Sequence, residues 1–279
     1  MIPFSCNRII DTALEEDLGL GDVTSRSMAF SERHCSVVIS ARESIILCGI
    51  EIAAAVFKRI EPELEIKILQ KDGYSINPKT ELLYIEGSTA PILSGERTAL
   101  NLLQHLSGIA SMTGRYVKLV SDYEVSICDT RKTTPGLREL EKYAVRCGGG
   151  TNHRSSLADC ILIKDNHISF YGGDIAKATE DARKHAPHVT KIEVEVTSIE
   201  QVYEAKLASV DVILLDNMNP DLVKKAVRII DGEAIVEVSG GVNFENLMQY
   251  AEAGPNVISI GAITHSHNWP DIGLDFKNK

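Results

Sequence analysis

The sequence predicts an α/β fold, with an incomplete parallel α/β barrel of six or seven strands following an N-terminal α+β open-faced sandwich domain. Short apolar runs in the C-terminal half each end in a polar residue or a glycine, as strands buried on both faces of a parallel sheet do. Helix-like segments separate these runs. The predicted strands are residues 125–128, 160–163, 191–196, 212–215, 234–238 and 257–260. The predicted helices between the later strands are residues 174–185, 199–208, 221–230 and 243–253.

The length of the C-terminal region indicates that the barrel is incomplete. Residues 112–270 amount to about 160 residues, whereas a full eight-stranded barrel typically has about 250. Such a barrel has an open side with unpaired strand edges. Covering that side with the N-terminal domain of a second copy gives a physical reason for a homodimer with shared active sites.

The region before residue 112 has a different pattern, in which short strands with turn signals alternate with helix-like segments. Strands are predicted at residues 35–41, 65–69 and 81–85, and helices at residues 51–60 and 96–105. This mixture predicts an α+β domain. A last strand-like run at 272–276 is predicted to return to it, so the domains are residues 1–111 with 271–279, and residues 112–270.

Cations and glycines are concentrated in residues 129–167, in a chain whose net charge is −10. A run of charges is often only a solvated helix face, and a glycine is often only a turn. Here, however, Arg131 and Lys132 follow one predicted strand and Lys164 follows the next. Glycines 148–150 would also let backbone N–H groups approach a ligand. The segment therefore predicts a site for phosphates or carboxylates. Its cations are Arg131, Lys132, Arg138, Lys142, Arg146, Arg154 and Lys164.

Carboxylates and glycines follow the remaining strands. Alternation along residues 191–196 places Glu193 and Glu195 on the same face, which we expect to be the barrel lumen near Lys164. Asp216 ends the next strand. The last two strands end in Ser239-Gly240-Gly241 and in Gly261-Ala262, which is typical of the phosphate site of α/β barrels.

These segments resemble the quinolinate phosphoribosyltransferase family almost from end to end. The longest are ALEEDLGLGDVTS at 13–25, ERTALNLLQHLSGIA at 96–110, DTRKTTPGLR at 129–138 and EKYAVRCGGGTNHR at 141–154. The shorter ones are LIKDNH at 162–167, EVEV at 193–196, LLDN at 214–217, SGG at 239–241 and SIGA at 259–262. The chain departs from the family pattern at 42–46 and at 267–270, neither of which contains a matched site residue.

The resemblance implies a Mg²⁺-assisted reaction of quinolinate with phosphoribosyl pyrophosphate, giving nicotinate mononucleotide, pyrophosphate and CO₂ in NAD biosynthesis. It implies no organic cofactor and no metal site built by the protein, since the substrate would hold the Mg²⁺, near Glu195 and Asp216. Catalytic roles are implied for Lys132, Lys164, Glu195 and Asp216. Which group protonates the ring after decarboxylation stays open, with Lys132 as the candidate.

The resemblance also assigns the substrate contacts. The carboxylates of quinolinate would be bound by Arg131, His153, Arg154 and Lys164, with Arg97 from a neighbouring subunit, although a histidine in a barrel is often simply a satisfied core residue. Lys132 would lie near the pyrophosphate, while Glu195 and Asp216 would hold the ribose hydroxyls. The 5′-phosphate would be bound by Ser239, Gly240, Gly241, Gly261 and Ala262. Thr130 and Ile260, within the matched segments, are also assigned to substrate binding.

Composition indicates where the protein works. The net charge of −10 argues against nucleic acid and anionic membranes as partners. The sequence has no apolar run of membrane-spanning length and no secretory signal pattern at its N-terminus. Six cysteines without metal-ligand spacing are predicted to be reduced thiols, and oxidation or alkylation of Cys128 or Cys147 would inhibit. Together these features predict a cytoplasmic enzyme.

Three other functions stay open from the residues. A Schiff-base aldolase would use Lys164 as its nucleophile, but it would not need Arg97, Arg131 and Arg154 together. A transferase for nicotinate, or a relative encoded with molybdate transport, would share the phosphoribosyl site. A non-catalytic protein would bind quinolinate without releasing pyrophosphate. The sequence leaves open whether the oligomer is a dimer or a hexamer.

Overall fold

The computed structural model describes residues 6–28 and 33–277. Its helices are α1 (Cys6–Leu18), α2 (Val23–Ser27), α3 (Ile50–Ile60), α4 (Thr89–Leu119), α5 (Arg138–Cys147), α6 (Asp165–Phe170), α7 (Ile175–His185), α8 (Ile199–Leu207), α9 (Pro220–Ile230), α10 (Leu247–Glu252) and α11 (Ala262–His265). Its strands are β1 (His34–Ala41), β2 (Ile45–Ile46), β3 (Glu65–Ile68), β4 (Ser75–Ile76), β5 (Glu81–Ser88), β6 (Ser126–Cys128), β7 (Ile161–Ile163), β8 (Ile192–Val196), β9 (Val212–Asp216), β10 (Ile235–Ser239), β11 (Val257–Ser259) and β12 (Ile272–Phe276).

The chain divides into two compact units, which we call the N-terminal unit and the barrel unit. The N-terminal unit comprises the chain up to Gly114, Thr133–Gly149 and the chain from Thr264 onward. The barrel unit comprises Arg115–Lys132 and Gly150–Ile263. This division differs from the predicted boundaries because α4 continues through residue 112 and because α5 packs with the N-terminal unit. The predicted domain boundaries, residues 1–111 with 271–279 and residues 112–270, stay a prediction.

The N-terminal unit is built on a four-stranded antiparallel sheet with the order β12-β1-β5-β3. Val37 and Ile39 of β1 lie opposite Ile85 and Leu83 of β5, and all four side chains are fully buried. Alternate residues of both strands therefore form one apolar face. Strand β12 pairs with β1 from Ala41 to Val37, so the end of the chain belongs to this sheet.

The barrel unit is a six-stranded sheet with the order β6-β11-β10-β9-β8-β7, and every neighbouring pair is parallel. The predicted fold class is confirmed. Val194, Ile213, Leu215, Val238 and Ile258 are fully buried in the sheet. Because all the strands run the same way, their carboxyl ends meet along one edge.

Helices α7, α8 and α9 begin at side-chain caps. Asp174 accepts a hydrogen bond from Lys177 N–H before α7, Ser198 accepts one from Gln201 N–H before α8, and Asn219 accepts one from Leu222 N–H before α9. Each cap satisfies a backbone donor that the first turn of a helix leaves without a partner, and it stabilises the helix by about 1 kcal/mol.

Several elements differ from the sequence predictions. Helix α5 was not predicted, and it carries Arg138, Lys142 and Arg146, so these cations belong to a helix of the N-terminal unit. Helix α4 has 31 residues, far more than the predicted 96–105. Helix α10 begins four residues after the predicted start at 243, because the Asn243 side chain accepts hydrogen bonds from the next turn and holds it outside the helix. Within the described residues, no helix is both long and apolar enough to span a bilayer.

Candidate active site

The carboxyl edge of the parallel sheet carries most of the predicted site residues. Lys164 directly follows β7, Glu195 lies in β8, and Asp216 is the last residue of β9. Ser239 ends β10, where it pairs with Asp216 on one side and with Ser259 on the other. Parallel register therefore aligns residues that are distant in sequence along one edge of the barrel unit.

An accessible ion pair links the first two of these strands. The Lys164 Nζ atom lies 2.7 Å from Glu195 Oε2, and the side chains are 45% and 15% exposed. The Lys164 backbone N–H also donates to His167 Nδ1 at 2.9 Å, at the start of α6. This backbone bond anchors the lysine while its ammonium group stays accessible to a ligand.

His153 lies among buried carboxylates. Its Nδ1 accepts a hydrogen bond from the Arg154 backbone N–H at 2.8 Å. The proton of a neutral imidazole is therefore on Nε2, which lies 3.2 Å from Glu193 and 3.4 Å from Glu237. Sequence analysis assigned His153 to the substrate pocket, whereas here both ring nitrogens contact other residues of the protein.

Glu237 is a buried carboxyl group that sequence analysis did not identify. Burial raises its pKa to about 7, and the nearby charge of Glu193 adds to the increase, while His153 opposes it. The Ser259 hydroxyl donates a hydrogen bond to it. Alternation along β10 was the available signal, because it gives Glu237 the same face as Ser239, opposite Val236 and Val238. A carboxyl group in this environment holds a proton near neutral pH.

Asp129 fixes the segment that carries His153. It is fully buried, and its carboxylate accepts hydrogen bonds from the Asn152 side chain at 2.6 Å and from the His153 backbone N–H at 2.8 Å. Thr151 adds two backbone hydrogen bonds to β6, one with Ile127 and one with Asp129. The Arg154 guanidinium group then donates to the Cys160 carbonyl at 3.2 Å.

The segment after β6 carries the next predicted residues. The Lys132 backbone N–H donates to Thr130 Oγ1 at 3.0 Å, which closes a tight local turn. Arg131 is half-buried, and the Lys132 side chain is exposed. This turn therefore presents a cation directly after the strand.

A second buried carboxylate supports the continuation of that segment within the N-terminal unit. Glu141 of α5 is fully buried, and it accepts hydrogen bonds from the Thr134 backbone N–H at 3.1 Å and from His105 at 2.9 Å. Arg97 belongs to the same unit, where it is exposed on α4. The unit that contains Arg97 is thus not the one that contains Lys164.

The turn after β10 depends on glycine. Gly240 has φ +92° and Gly241 has φ +65°, in the left-handed region that favours glycine. A Cβ atom at Gly240 would collide with the Asn217 side chain, whereas one at Gly241 would meet nothing within 4 Å. Open space therefore adjoins the backbone at Gly241. After β11, Ile260 is buried, and half-buried Gly261 precedes Ala262 at the start of α11.

One group in this unit has donor atoms that suit a metal ion. Ligand atoms of His153, Glu193 and Glu237 all lie within 4.8 Å of one another. All three side chains are largely buried, His153 Nε2 hydrogen-bonds to Glu193, and it lies 3.4 Å from Glu237. Glu195 and Asp216 are more accessible, and Asp216 accepts a hydrogen bond from the Asn217 side chain at 2.8 Å.

Comparison with known proteins connects this geometry to a family. Residues 22–107 match the family model for the N-terminal domain of quinolinate phosphoribosyl transferase, and residues 109–275 match the model for its C-terminal domain. The chain is 44% identical over 260 residues to the probable nicotinate-nucleotide pyrophosphorylase [carboxylating] of Bacillus subtilis (strain 168), covering 93% of this chain and 89% of that protein. It is 42% identical to the Methanocaldococcus jannaschii protein of the same name, covering 96% of each.

Solved structures agree with these matches. The nicotinate-nucleotide pyrophosphorylase from Francisella tularensis superposes with a TM-score of 0.95 at 37% identity, over 99% of this chain and 98% of that chain. Both domains are therefore matched in sequence and in fold. The chain belongs to the quinolinate phosphoribosyltransferase family.

Proposed function

We propose that this protein transfers the phosphoribosyl group of phosphoribosyl pyrophosphate to quinolinate, releasing pyrophosphate and CO₂ and forming nicotinate mononucleotide for NAD biosynthesis. The observation that carries the proposal is the series of groups along the carboxyl edge of the barrel sheet. Cations follow β6 and β7, carboxylates lie in β8 and at the end of β9, and a glycine turn follows β10. Matches to both family domains support it.

Quinolinate is a dianion, so its pocket needs several cations. We assign Arg131, Arg154 and Lys164 to its carboxylates, with His153 beside them. Arg97 of a second copy completes the pocket, as the exposure of this side chain allows. Guanidinium groups bind carboxylates through paired hydrogen bonds, and the lysine adds a point charge. These cations orient the ring nitrogen toward the anomeric carbon, and positioning supplies much of the rate acceleration.

The phosphoribosyl end is assigned to the later strands. Glu195 and Asp216 hold the ribose hydroxyls, and their negative charge favours the positive charge that develops at the anomeric carbon. The backbone from Ser239 to Gly241, together with Gly261 and Ala262, binds the 5′-phosphate. Thr130 and Ile260 border the substrate, and Lys132 lies near the departing pyrophosphate. Lys132 is also our candidate for protonating the ring after CO₂ is lost.

Magnesium fits this arrangement, because carboxylate oxygens are the ligands that it prefers. Asp216 and the Glu195 oxygen that does not contact Lys164 would approach the metal, while the substrate holds it. Bound there, Mg²⁺ would neutralise charge on the pyrophosphate leaving group. The buried group of His153, Glu193 and Glu237 is a poorer candidate, since His153 already hydrogen-bonds to Glu193 and Glu237 already accepts from Ser259.

The test of this function compares two substrates in a pyrophosphate-release assay. Nicotinate lacks the 2-carboxylate of quinolinate and would leave cations of the pocket without the carboxylate that they bind. We expect quinolinate to be favoured by about a thousandfold or more in kcat/KM. Comparable turnover of nicotinate would instead favour a salvage transferase. Binding of quinolinate without pyrophosphate release would favour a binding protein, and borohydride trapping of a substrate on Lys164 would favour an aldolase.

We also propose that the protein is a cytoplasmic homodimer, or a higher oligomer built from such dimers, with shared sites. Arg97→Ala and Lys164→Ala proteins should each be inactive. After they are unfolded and refolded as an equal mixture, half the dimers are hybrids in which one site is intact, so activity should recover to about a quarter of wild type. If mixed dimers are confirmed by mass and no activity returns, Arg97 does not complete a neighbouring site.

A further inference from the structure

The N-terminal unit brings together two cysteines that lie far apart in the sequence. Cys48 is in the loop before α3, and Cys147 is the last residue of α5. Their sulfur atoms and a carboxylate oxygen of Asp72 all lie within 4.8 Å of one another. The Cys48 backbone is held by Ser107, which accepts from its N–H at 3.0 Å and donates to its carbonyl at 3.1 Å. The two thiols are thus close together, and hydrogen bonds to Ser107 hold the backbone of Cys48 in place.

Two thiols and a carboxylate could also suggest a zinc site, but the carboxylate has another role. Asp72 accepts hydrogen bonds from the backbone N–H groups of Gly49 at 2.9 Å and Ile50 at 3.0 Å, at the start of α3. It also accepts one from the Tyr143 hydroxyl at 2.8 Å. The two backbone bonds cap the start of α3, and together with the Tyr143 bond they occupy the carboxylate. The chemistry that remains available in this cluster is that of the two sulfur atoms.

The two thiols differ in reactivity. Cys48 is fully buried, and burial raises its pKa well above the usual range, so it stays protonated. Cys147 is partly exposed, and its pKa is lowered mainly because the Cys48 thiol donates a hydrogen bond to it. The single proton of Tyr143 is directed to Asp72, which makes Cys48 the principal donor. By contrast, burial raises the pKa of the partly exposed Cys160.

We propose that Cys147 and Cys48 form a peroxide-reactive pair, in which Cys147 is the attacking thiolate and Cys48 is the resolving thiol. The Cys147 sulfur attacks the O–O bond of hydrogen peroxide, takes one oxygen as a sulfenic acid and releases the other as water. The Cys48 sulfur then attacks the sulfenic sulfur, and the second oxygen leaves as water. In total, two thiols are oxidised to one disulfide, and one peroxide is reduced to two waters.

The geometry suits this sequence of steps. The attacking thiolate must be accessible and stabilised, and the resolving thiol must be close and protected. A disulfide needs the sulfur atoms to approach to about 2 Å, and in this structure they already lie within 4.8 Å of each other. The new bond would link the loop before α3 to the end of α5, on a chain whose next residues are Gly148 and Gly149.

The test uses the full-length protein, titrated with hydrogen peroxide, alkylated and mapped by mass spectrometry without reduction. We expect a Cys48–Cys147 disulfide, with the other four of the six cysteines alkylated once the protein is denatured, and full reversal by a thiol reductant. In Cys48→Ser the sulfenic acid at Cys147 should persist and be captured by dimedone. Cys160→Ser is the matched control and should behave as wild type.

A second measurement compares the reaction rates of two cysteines in the wild-type protein, so it does not depend on whether a variant folds. In native protein, peroxide should consume Cys147 at least about tenfold faster than Cys160, because the thiolate is the reactive form. Equal rates at the two residues would overturn the proposal. So would identical dimedone capture with and without Cys48. Stoichiometric zinc that protects both thiols until a chelator is added would show that the cluster is a metal site instead.

Discussion

The two glutamates of β8 are only two residues apart on one face of the strand, yet the structure gives them opposite environments. Glu195 is near the strand end and pairs with the accessible ammonium group of Lys164. Glu193 is one pleat deeper, almost fully buried, and it contacts His153 and lies near the protonatable carboxyl group of Glu237. Depth along a barrel strand, more than residue type, separates a group that can meet substrate from one that organises the interior.

The largest expected effect is the loss of activity in Lys164→Ala. Removing one partner of a charge pair at the substrate site should lower kcat/KM for quinolinate by about a thousandfold, or roughly 4 kcal/mol. Stability should change less than activity does, because the Lys164 side chain is 45% exposed. Lys184→Ala is the matched control, since Lys184 forms an exposed pair with Glu180 at 2.8 Å on α7. Near-normal activity in Lys164→Ala would contradict the assignment of the Lys164–Glu195 pair to the substrate site.

At Glu193, one pleat deeper in β8, the expected effect is on stability. Glu193→Ala should lower the free energy of unfolding by about 1–3 kcal/mol, because His153 Nε2 loses a buried hydrogen-bond partner. Glu195→Ala should lower it by less than Glu193→Ala does, because the Lys164 side chain that it leaves is 45% exposed and can be solvated. Urea denaturation of both proteins at the same pH measures this difference. Equal losses would mean that depth along β8 does not separate the two roles.

A pH dependence of stability sharpens the comparison further. Burial raises the pKa of Glu237 from 4.5 to about 7, so the folded state holds this proton more tightly than the unfolded state does. The resulting stabilisation is complete below about pH 4.5 and is lost as the pH rises through about 7. In Glu237→Gln this contribution is absent. Between about pH 5 and pH 8 the wild-type stability should therefore fall relative to Glu237→Gln, and parallel curves would contradict the prediction.

Much of the barrel could be predicted because its signals are local. The apolar runs that end in Lys164, Asp216 and Gly240 are visible in the sequence, and alternation alone placed Glu193 and Glu195 on one face. Glu237 was missed because it is the only charged residue in an apolar strand, where apolar neighbours hide the alternation. Helix α5 was missed because its many charges predicted a ligand-binding segment.

Other features depend on contacts that no spacing rule describes. Asp129 holds His153, which is 24 residues later in the chain. Cys48 and Cys147 have no motif spacing; the sequence predicted that both would be reduced thiols and that oxidation of Cys147 would inhibit, but not that the two would meet. These contacts form when segments distant in sequence are packed together, so they require the tertiary structure.

The backbone bonds between Thr151 and β6 have a topological consequence. Thr151 donates to Ile127 at 2.8 Å and accepts from Asp129 at 3.2 Å, so the chain re-enters the barrel unit beside the point where it left. Residues 133–149 thus interrupt the sequence of the barrel unit, and the two ends of this segment are close together, as they are for a domain inserted into another domain. The entropy of closing such a loop changes only slowly with its length. The parallel sheet is therefore expected to fold even when the segment between these adjacent ends has another length.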